Sequence, residues 1–438
     1  WQAQPSLDDN QGAILDGPEY LNFMNFEGVG TAVTYDSNSF APDSASTATS
    51  IATGHKTYSG SINVDETGTV EYETIAEQLK AQKGYEIGVI TSVNLNHATP
   101  AAFYAHQASR SNYYDIGLEM VESDFDYFAG GGLLDPTGSE GDQTDLYQLA
   151  QEAGYTVART YAEADAISAD TDKAIIIEEN LADSDAIPYE IDRTDDMWSL
   201  ADYVEKGIEV LDNDTGFFMM CEGGKIDWAC HANDAGSSIH DTQALADAVQ
   251  VAIDFAAEHP DETLILVTGD HETGGLTIGF AGTDYDTYLD LLENQKISYA
   301  KFDSDYVASY KENKTPFEDV LSDIEELFGL KAQGAADDKL VLTEYEMEQL
   351  RAAYEKSVNG TAASEYEQEE YVLYGTYEPL SVTITHIINN KSGISFTSYS
   401  HTGLPVAVLA EGVGAESFSG YYDNTQIYEK MADLLNIA

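Results

Sequence analysis

The chain has 438 residues and a formal charge of −60, from 79 Asp and Glu against 19 Lys and Arg. Hydrophobic residues make up 43%, enough for a large buried core, which excludes general disorder. Charge of this sign repels nucleic-acid backbones and anionic membranes, and no apolar run reaches the roughly 18 residues that span a bilayer, so neither partner is expected. An anionic substrate would need local positive charge, and metal ions are the obvious source. Cys221 and Cys230 are too few for a disulfide framework and read as buried free thiols. The acid excess suits salt water or the cell exterior, where counterions screen self-repulsion. The sequence opens at Trp1 without an initiator Met or a signal segment, which predicts that something upstream has been removed.

In chain order, apolar residues at three-to-four spacing predict helices over 75–82, 197–211, 242–258 and 425–435. Short apolar runs bounded by turn signals, at 86–90, 174–177, 217–221, 263–267 and 406–409, read as buried strands. Strands alternating with helices predict an α/β fold: a central, mainly parallel sheet flanked by helices on both faces. In such sheets ligands bind beyond the carboxyl ends of the strands. Over 286–380 the rhythm breaks. Tyr, Glu and Lys become frequent, and two polar helices, over 316–328 and 343–356, have no clear buried strand between them. The expected organisation is a core over 1–285, an insertion over 286–380 and a return to the core over 381–438. The insertion reads as a cap or an oligomer contact, the latter consistent with a homodimer.

Three strand ends carry residues of the kind that bind metals. The run at 217–221 leads into Glu222, then Asp227 and, four residues on, His231. The run at 263–267 leads into Asp270-His271, and His401 opens His-Thr-Gly before the strand at 406. Carboxylate and imidazole together suit zinc, and Asp and His four apart on a helix can face one ion. The bland alternative is acids scattered by composition and histidines packed in a core. Against it, three of only nine histidines fall within or beside carboxylate clusters at strand ends. Small residues over 41–56 lead into a helix ending at Gly54, which places Ser44 near its N-terminus. Free amides and the positive dipole end there suit a reactive hydroxyl and an oxyanion, although a plain N-cap would read the same way. Arg110 follows the strand at 86–90, where its fork could grip two phosphate oxygens or make a surface ion pair.

Together these pieces resemble a family. Asp43-Ser44-Ala45 with Thr53-Gly54-His55-Lys56, His97-Ala98-Thr99-Pro100, Glu222-Gly223 with Asp227 and His231, Asp270-His271, and His401-Thr402-Gly403 are similar to the motifs of alkaline phosphatases, in the same order. The resemblance runs from about Gly28 to the C-terminus, except the insertion. It implies a three-layer α/β sandwich with a crown-like inserted subdomain. It implies hydrolysis of phosphate monoesters through a phosphoserine intermediate, assisted by two zinc ions and one magnesium. Ser44 would be the nucleophile, and Arg110, oriented by Asp43, the phosphate clamp. Asp227, His231 and His401 would hold one zinc, Asp270 and His271 the second, and Thr99 and Glu222 the magnesium. His97 and Trp228 stand beside the magnesium and the phosphate at variable positions. Thr273 replaces a histidine that supports a zinc ligand in some relatives. A secreted, periplasmic or cell-surface location goes with the resemblance.

One ligand of the family pattern has no match. An Asp in a Gly-Asp-Gly-Met turn ends the family's first strand and bridges the second zinc and the magnesium. Here Trp1-Gln2-Ala3-Gln4-Pro5-Ser6 reads like the segment just past that turn, and Asp8, Asp9 and Asp16 follow no strand. The expectation is a chain lacking that strand. An impaired or non-catalytic metal- and phosphate-binding protein is therefore one rival reading, and a related phosphodiesterase another. A sulfatase would need x-Pro-x-Arg after its nucleophile, which Ser44-Ala45-Ser46-Thr47-Ala48 does not supply.

Overall fold

A computed structural model of the protein describes residues 20–360 and 366–437. Asp8, Asp9 and Asp16 lie outside the described residues. In chain order the first strands are β1 (Gly28–Val33), β2 (Glu86–Asn94), β3 (Tyr127–Gly131), β4 (Thr156–Ala158), β5 (Ala174–Ile177), β6 (Phe217–Glu222) and β7 (Leu264–Thr268). Then come the short β8 (Glu272–Thr273), β9 (Thr277–Ile278), β10 (Ile394–Ser395) and β11 (His401–Thr402), and finally β12 (Val406–Gly412) and β13 (Gly420–Asp423). Five strands form an all-parallel sheet in the order β4-β5-β3-β2-β6. Four form a mixed sheet, β13-β1-β12-β7, in which β12 runs against both β1 and β7. The hydrogen-bonded ladders thus divide what the sequence suggests is one sheet into two. One ends at β6 and the other at β7, and both strands are only half-buried, as edge strands are.

Alternation along the strands explains the layers. Ile87, Phe128, Ile175, Ile177, Val408 and Ala410 point into one apolar cluster, with Ala45, Ala48, Leu79, Ile116 and Ile427 from helices Ser44–Thr53, Ile75–Lys83, Tyr113–Glu122 and Thr425–Leu435. Their neighbours Ile90, Tyr127, Ala129, Ala174 and Ile176 point the other way, onto helix Leu200–Leu211. Leu409, Ile265 and Val267 likewise face Ala246 and Val249 of helix Ala235–Glu258. That long helix also gives Ala248 to the cluster under the parallel sheet, so one helix covers the same side of both sheets. The architecture is an α/β sandwich with helices on both faces.

A separate hydrophobic cluster gathers Phe302, Phe317, Val320, Ile324, Phe328 and Leu350 around Leu380, Ile384 and Ile388 of helix Pro379–Ser392. No helix among the described residues is long and apolar enough to cross a membrane.

Candidate active site

Parallel strands deliver their carboxyl ends to one edge of a sheet, and those ends carry the candidate residues. β2 runs out toward His97 and Thr99, β6 ends at Glu222, and β7 is followed by Gly269-Asp270-His271. His401 precedes its long strand instead of following it. Because β12 is antiparallel to β1 and β7, its start lies where their ends lie, and the β11–β8 ribbon pairs His401 with Thr273.

Ser44 is the first residue of helix Ser44–Thr53. The Asp43 side chain caps that helix by accepting the Ser46 amide, and Gly54 closes it in the left-handed conformation. Ser44 is buried, and its Oγ lies 2.9 Å from His271 Nε2. The hydroxyl thus sits at the positive end of a helix, aimed at an imidazole from the β7 end. One turn later, Thr47 Oγ1 donates to Asp270 Oδ2 at 3.2 Å, which ties the helix to the same loop. Arg110 Nη1 donates to Asp43 Oδ2 at 2.9 Å, and Nη2 stands 3.3 Å from His97 Nε2. Burial alone would push the Asp43 carboxyl up; the Arg110 guanidinium and nearby amides overcome it and hold it below its ordinary value.

Three histidines and an aspartate converge beside Ser44. His231 Nε2 and His401 Nε2 approach Asp227 Oδ1 at 3.4 and 3.5 Å and each other at 3.0 Å. His271 stacks on His401 with ring centroids 3.6 Å apart. Ligand atoms of Asp227, His271 and His401 all lie within 4.8 Å of one another. The far ring nitrogens settle the tautomers: His231 Nδ1 lies 2.6 Å from the Tyr399 carbonyl and His401 Nδ1 2.5 Å from the Pro42 carbonyl. A carbonyl only accepts, so both Nδ1 atoms carry the proton and both Nε2 lone pairs face the same carboxylate oxygen. Lone pairs gathered in this way repel one another unless a cation sits among them, and imidazole held by a carbonyl behind it is the usual support of a metal ligand. The donor set fits zinc. Thr273 Oγ1 donates to Asp227 Oδ1 at 2.5 Å, so the threonine supports that carboxylate directly. Burial pulls Asp227 upward, yet once the imidazoles are protonated they donate to it and hold it well below the ordinary carboxylate range. Burial likewise lowers the His231 imidazole, but Asp227 leaves it raised overall.

Glu222 lies deeper. It accepts from Thr91 Oγ1 at 2.5 Å and also from the Thr99 hydroxyl. Burial, with Asp270 and Asp227 nearby, raises its pKa to about 8. Oxygen donors alone, one of them a half-buried carboxylate with other carboxylates nearby, fit a hard cation such as magnesium. His97 is half-buried next to Arg110, and desolvation lowers its pKa to about 3, so it is neutral there. His55 and Lys56 lie elsewhere: Lys56 pairs with Asp423 at 3.1 Å, joining the helix end to β13. Cys221 and Cys230 are free thiols, Cys230 buried and Cys221 only half-buried because β6 is an edge strand.

Ser44, His97, Arg110, Asp227, His231 and His401 line one cleft of about 470 Å³. Sequence reasoning missed other residues of this cleft, among them Asp183, Ser184, Tyr299 and Tyr377. It also missed Thr47 and Thr91. The two hydroxyls could have been suspected from their places one turn after Ser44 and just past the apolar run at 86–90. The tyrosines carry no local signal, since only the tertiary fold brings them across the cleft.

Comparison with known proteins agrees with this geometry. The family model for alkaline phosphatase matches residues 2–437. Alkaline phosphatase 3 of Bacillus subtilis is 32% identical over 413 residues, covering 91% of this chain and 78% of that protein. The cold-active alkaline phosphatase of a psychrophilic Shewanella superposes with a TM-score of 0.78 at 31% identity, over 96% of this chain and 93% of that one. A histidine variant of the alkaline phosphatase from the Antarctic bacterium TAB5, with magnesium bound, superposes at 0.64 and 25% identity over 97% and 92%. A serine at a helix N-terminus, an arginine beside it, a carboxylate–imidazole cluster at the strand ends and a match over nearly the whole length together place this chain in the metal-dependent alkaline phosphatase family, as a phosphoric monoester hydrolase.

Proposed function

We propose that the chain hydrolyses phosphate monoesters through a phosphoserine intermediate on Ser44, with two zinc ions and one magnesium. The observation that carries this reading is Ser44 Oγ, buried at a helix N-terminus 2.9 Å from His271 Nε2 in the same cleft as Arg110. Asp227, His231 and His401 would hold one zinc, Asp270 and His271 the second, and Thr99 and Glu222 the magnesium. When bound, these ions supply Lewis acidity: they lower the pKa of the serine hydroxyl and of water and neutralise charge on the transferring phosphoryl group.

The rest falls to the chain's own groups. Asp43 holds the Arg110 fork at the cleft, where Nη1 and Nη2 bind two phosphate oxygens and fix the ester for in-line attack. Ser44 Oγ attacks phosphorus, the P–O bond to the leaving alcohol breaks, and the free amides of the first helical turn face the developing charge. Attack of water then returns Ser44 and releases phosphate. His97 stays neutral against Arg110 and adds no charge of its own, while Trp228 closes the other side. Residues 286–380 would act as a cap, since they carry Tyr299 and Tyr377 to the cleft. The acidic composition supports a location outside the cytoplasm, and a homodimer is the expected assembly.

Acid-quenching during turnover of a phosphomonoester tests the reading. Phosphate should be trapped on the peptide containing Ser44 and be absent in Ser44→Ala, whose turnover falls by orders of magnitude while its metal content stays. Arg110→Ala should raise KM and lower kcat less, because its loss is mainly of binding. No trapped phosphate with full turnover, or equal losses from both variants, would contradict these roles.

A further inference from the structure

Two kinds of surface meet in the cleft. One is the polar cluster around Ser44, Arg110 and the histidines. The other is apolar: Trp228, Tyr299 and Tyr377 belong to a single hydrophobic cluster with Tyr189 and Ala229, and all three also line the cleft. A phosphate group fills only a small part of about 470 Å³, so the space beside the rings is left for the alcohol that the ester carries. We propose that this aromatic wall binds a flat aromatic group in the leaving alcohol, making aromatic phosphate esters the preferred substrate class. The proposal rests on the phosphomonoesterase reading of the cleft and adds to it a specificity.

Each ring is held in place before a ligand arrives. Trp228 follows Asp227 on the helix Gly224–His231, and its indole meets the His97 ring edge-on at 5.8 Å. The Lys225 ammonium, fully buried and paired with Asp183 at 2.6 Å, lies 4.9 Å from the indole centroid and 3.8 Å from that of Tyr189. This cation–π contact fixes the indole from within the protein. Tyr299 begins its helix with its amide bonded to Asp234 Oδ2 at 2.9 Å, so it is tied to the cap of helix Ala235–Glu258. Tyr377 is half-buried between helices Gln368–Tyr374 and Pro379–Ser392; its ring stands at 84° to Tyr299, 5.7 Å away, and 6.1 Å from Tyr399. The Tyr399 carbonyl in turn holds His231. The wall is thus fastened to the same parts that position the metal-type ligands, and a ring entering the cleft loses little to ordering of its partners. Aromatic rings favour edge-to-face and offset contacts with another ring, which a saturated ring of equal size cannot reproduce.

The test compares esters that differ only in that respect. Benzyl phosphate and cyclohexylmethyl phosphate release alcohols of similar basicity, one flat and one puckered. Adenosine 5′-monophosphate and ribose 5-phosphate give a second comparison, an aromatic base one sugar further away against no base at all. The metal-loaded enzyme should prefer the aromatic member of at least one pair in kcat/KM by about 2- to 12-fold, the range of one aromatic pair. Tyr377→Leu should bring that ratio close to one, and Tyr377→Phe should keep it. Taking the ratio within each variant cancels any general loss of activity. Ethyl phosphate, which reaches no wall, is the control: if the wild-type enzyme fails on it, the phosphomonoesterase reading has failed. If ethyl phosphate turns over and both aromatic ratios are near one, or if Tyr377→Leu retains them, the aromatic wall is only packing and the proposal is overturned.

Discussion

Glu222 shows how much a single side chain in this cleft depends on what stands beside it. Burial and the neighbouring Asp270 and Asp227 raise its pKa to about 8, with only the Thr91 and Thr99 hydroxyls offsetting them. A carboxyl whose folded pKa is raised holds its proton more tightly in the folded chain than in the unfolded one. Without metal, therefore, the stability that Glu222 contributes is greatest below the ordinary glutamate range and falls as pH climbs from there toward about 8, where that contribution is lost. A bound divalent cation reverses this, since it favours the carboxylate. In chelator, the thermal midpoint of the wild-type chain should fall between pH 5 and 8 more than that of Glu222→Gln, which cannot ionise. With magnesium and zinc restored, the wild-type midpoint at pH 8 should rise above that of the variant. Parallel pH profiles for the two metal-free proteins would show that Glu222 does not carry the burden its surroundings assign to it.

At the scale of elements, helix Ser44–Thr53 places Ser44 only if it stops where it does. Gly54 ends it at φ +76°, and a Cβ there would lie 2.6 Å from Cδ1 of Tyr428, whose hydroxyl is bonded to Gln78. Gly54→Ala should thus lower stability through both strain and clash, by about 2 kcal/mol. Gly60 is the natural control: at φ +88° it has nothing within 4 Å of the place a methyl would take, so Gly60→Ala suffers the strain alone. A larger fall in Tm for Gly54→Ala than for Gly60→Ala is expected, and equal falls would mean Tyr428 yields without cost. Much of this level was legible in the sequence. The strand at 174–177 and the helix at 425–435 appear with those bounds, the first as an unbroken apolar run between turn signals and the second as an apolar face at helical spacing. β1 and β3 went unread: Gly28-Val29-Gly30 and Gly130-Gly131 interrupt their apolar runs, and glycine signals a turn unless close backbone packing calls for it. At Gly30, a side chain would run into the Phe418 carbonyl, a contact that no local pattern foretells. The site was legible where motifs are local, as in Asp270-His271. It was not where side chains reach the cleft from distant segments, as Tyr377 does.

For the molecule as a whole, charge is the dominant fact. Against 79 acids stand 19 lysines and arginines, so the carboxylates exceed the permanent cations by 60. Two of the cations are also committed elsewhere, Lys225 to Asp183 in the interior and Arg110 to Asp43 at the cleft. The surface consequently repels itself, and folding must gather that charge into a smaller volume. Salt acts on this in two opposite ways. It weakens surface pairs such as Lys173–Asp124 at 2.6 Å and Lys331–Asp338 at 2.8 Å, whose attraction is modest because water reaches them. It also screens the repulsion among the excess acids, as the Debye length shrinks from about 10 Å at 0.1 M to about 3 Å at 1 M. The excess far outnumbers the pairs, so screening wins. With zinc and magnesium held at saturation, Tm at neutral pH should rise from low salt to about 1 M sodium chloride and then level off, once the screening length falls below the spacing of neighbouring carboxylates. At a pH near the carboxyl pKa values, where many acids are already neutral, the same addition should raise Tm much less. A Tm that is flat or falls with salt at neutral pH would mean that local ion pairs outweigh the general repulsion. An equal rise at both pH values would point to ion exclusion from the protein surface in place of screening.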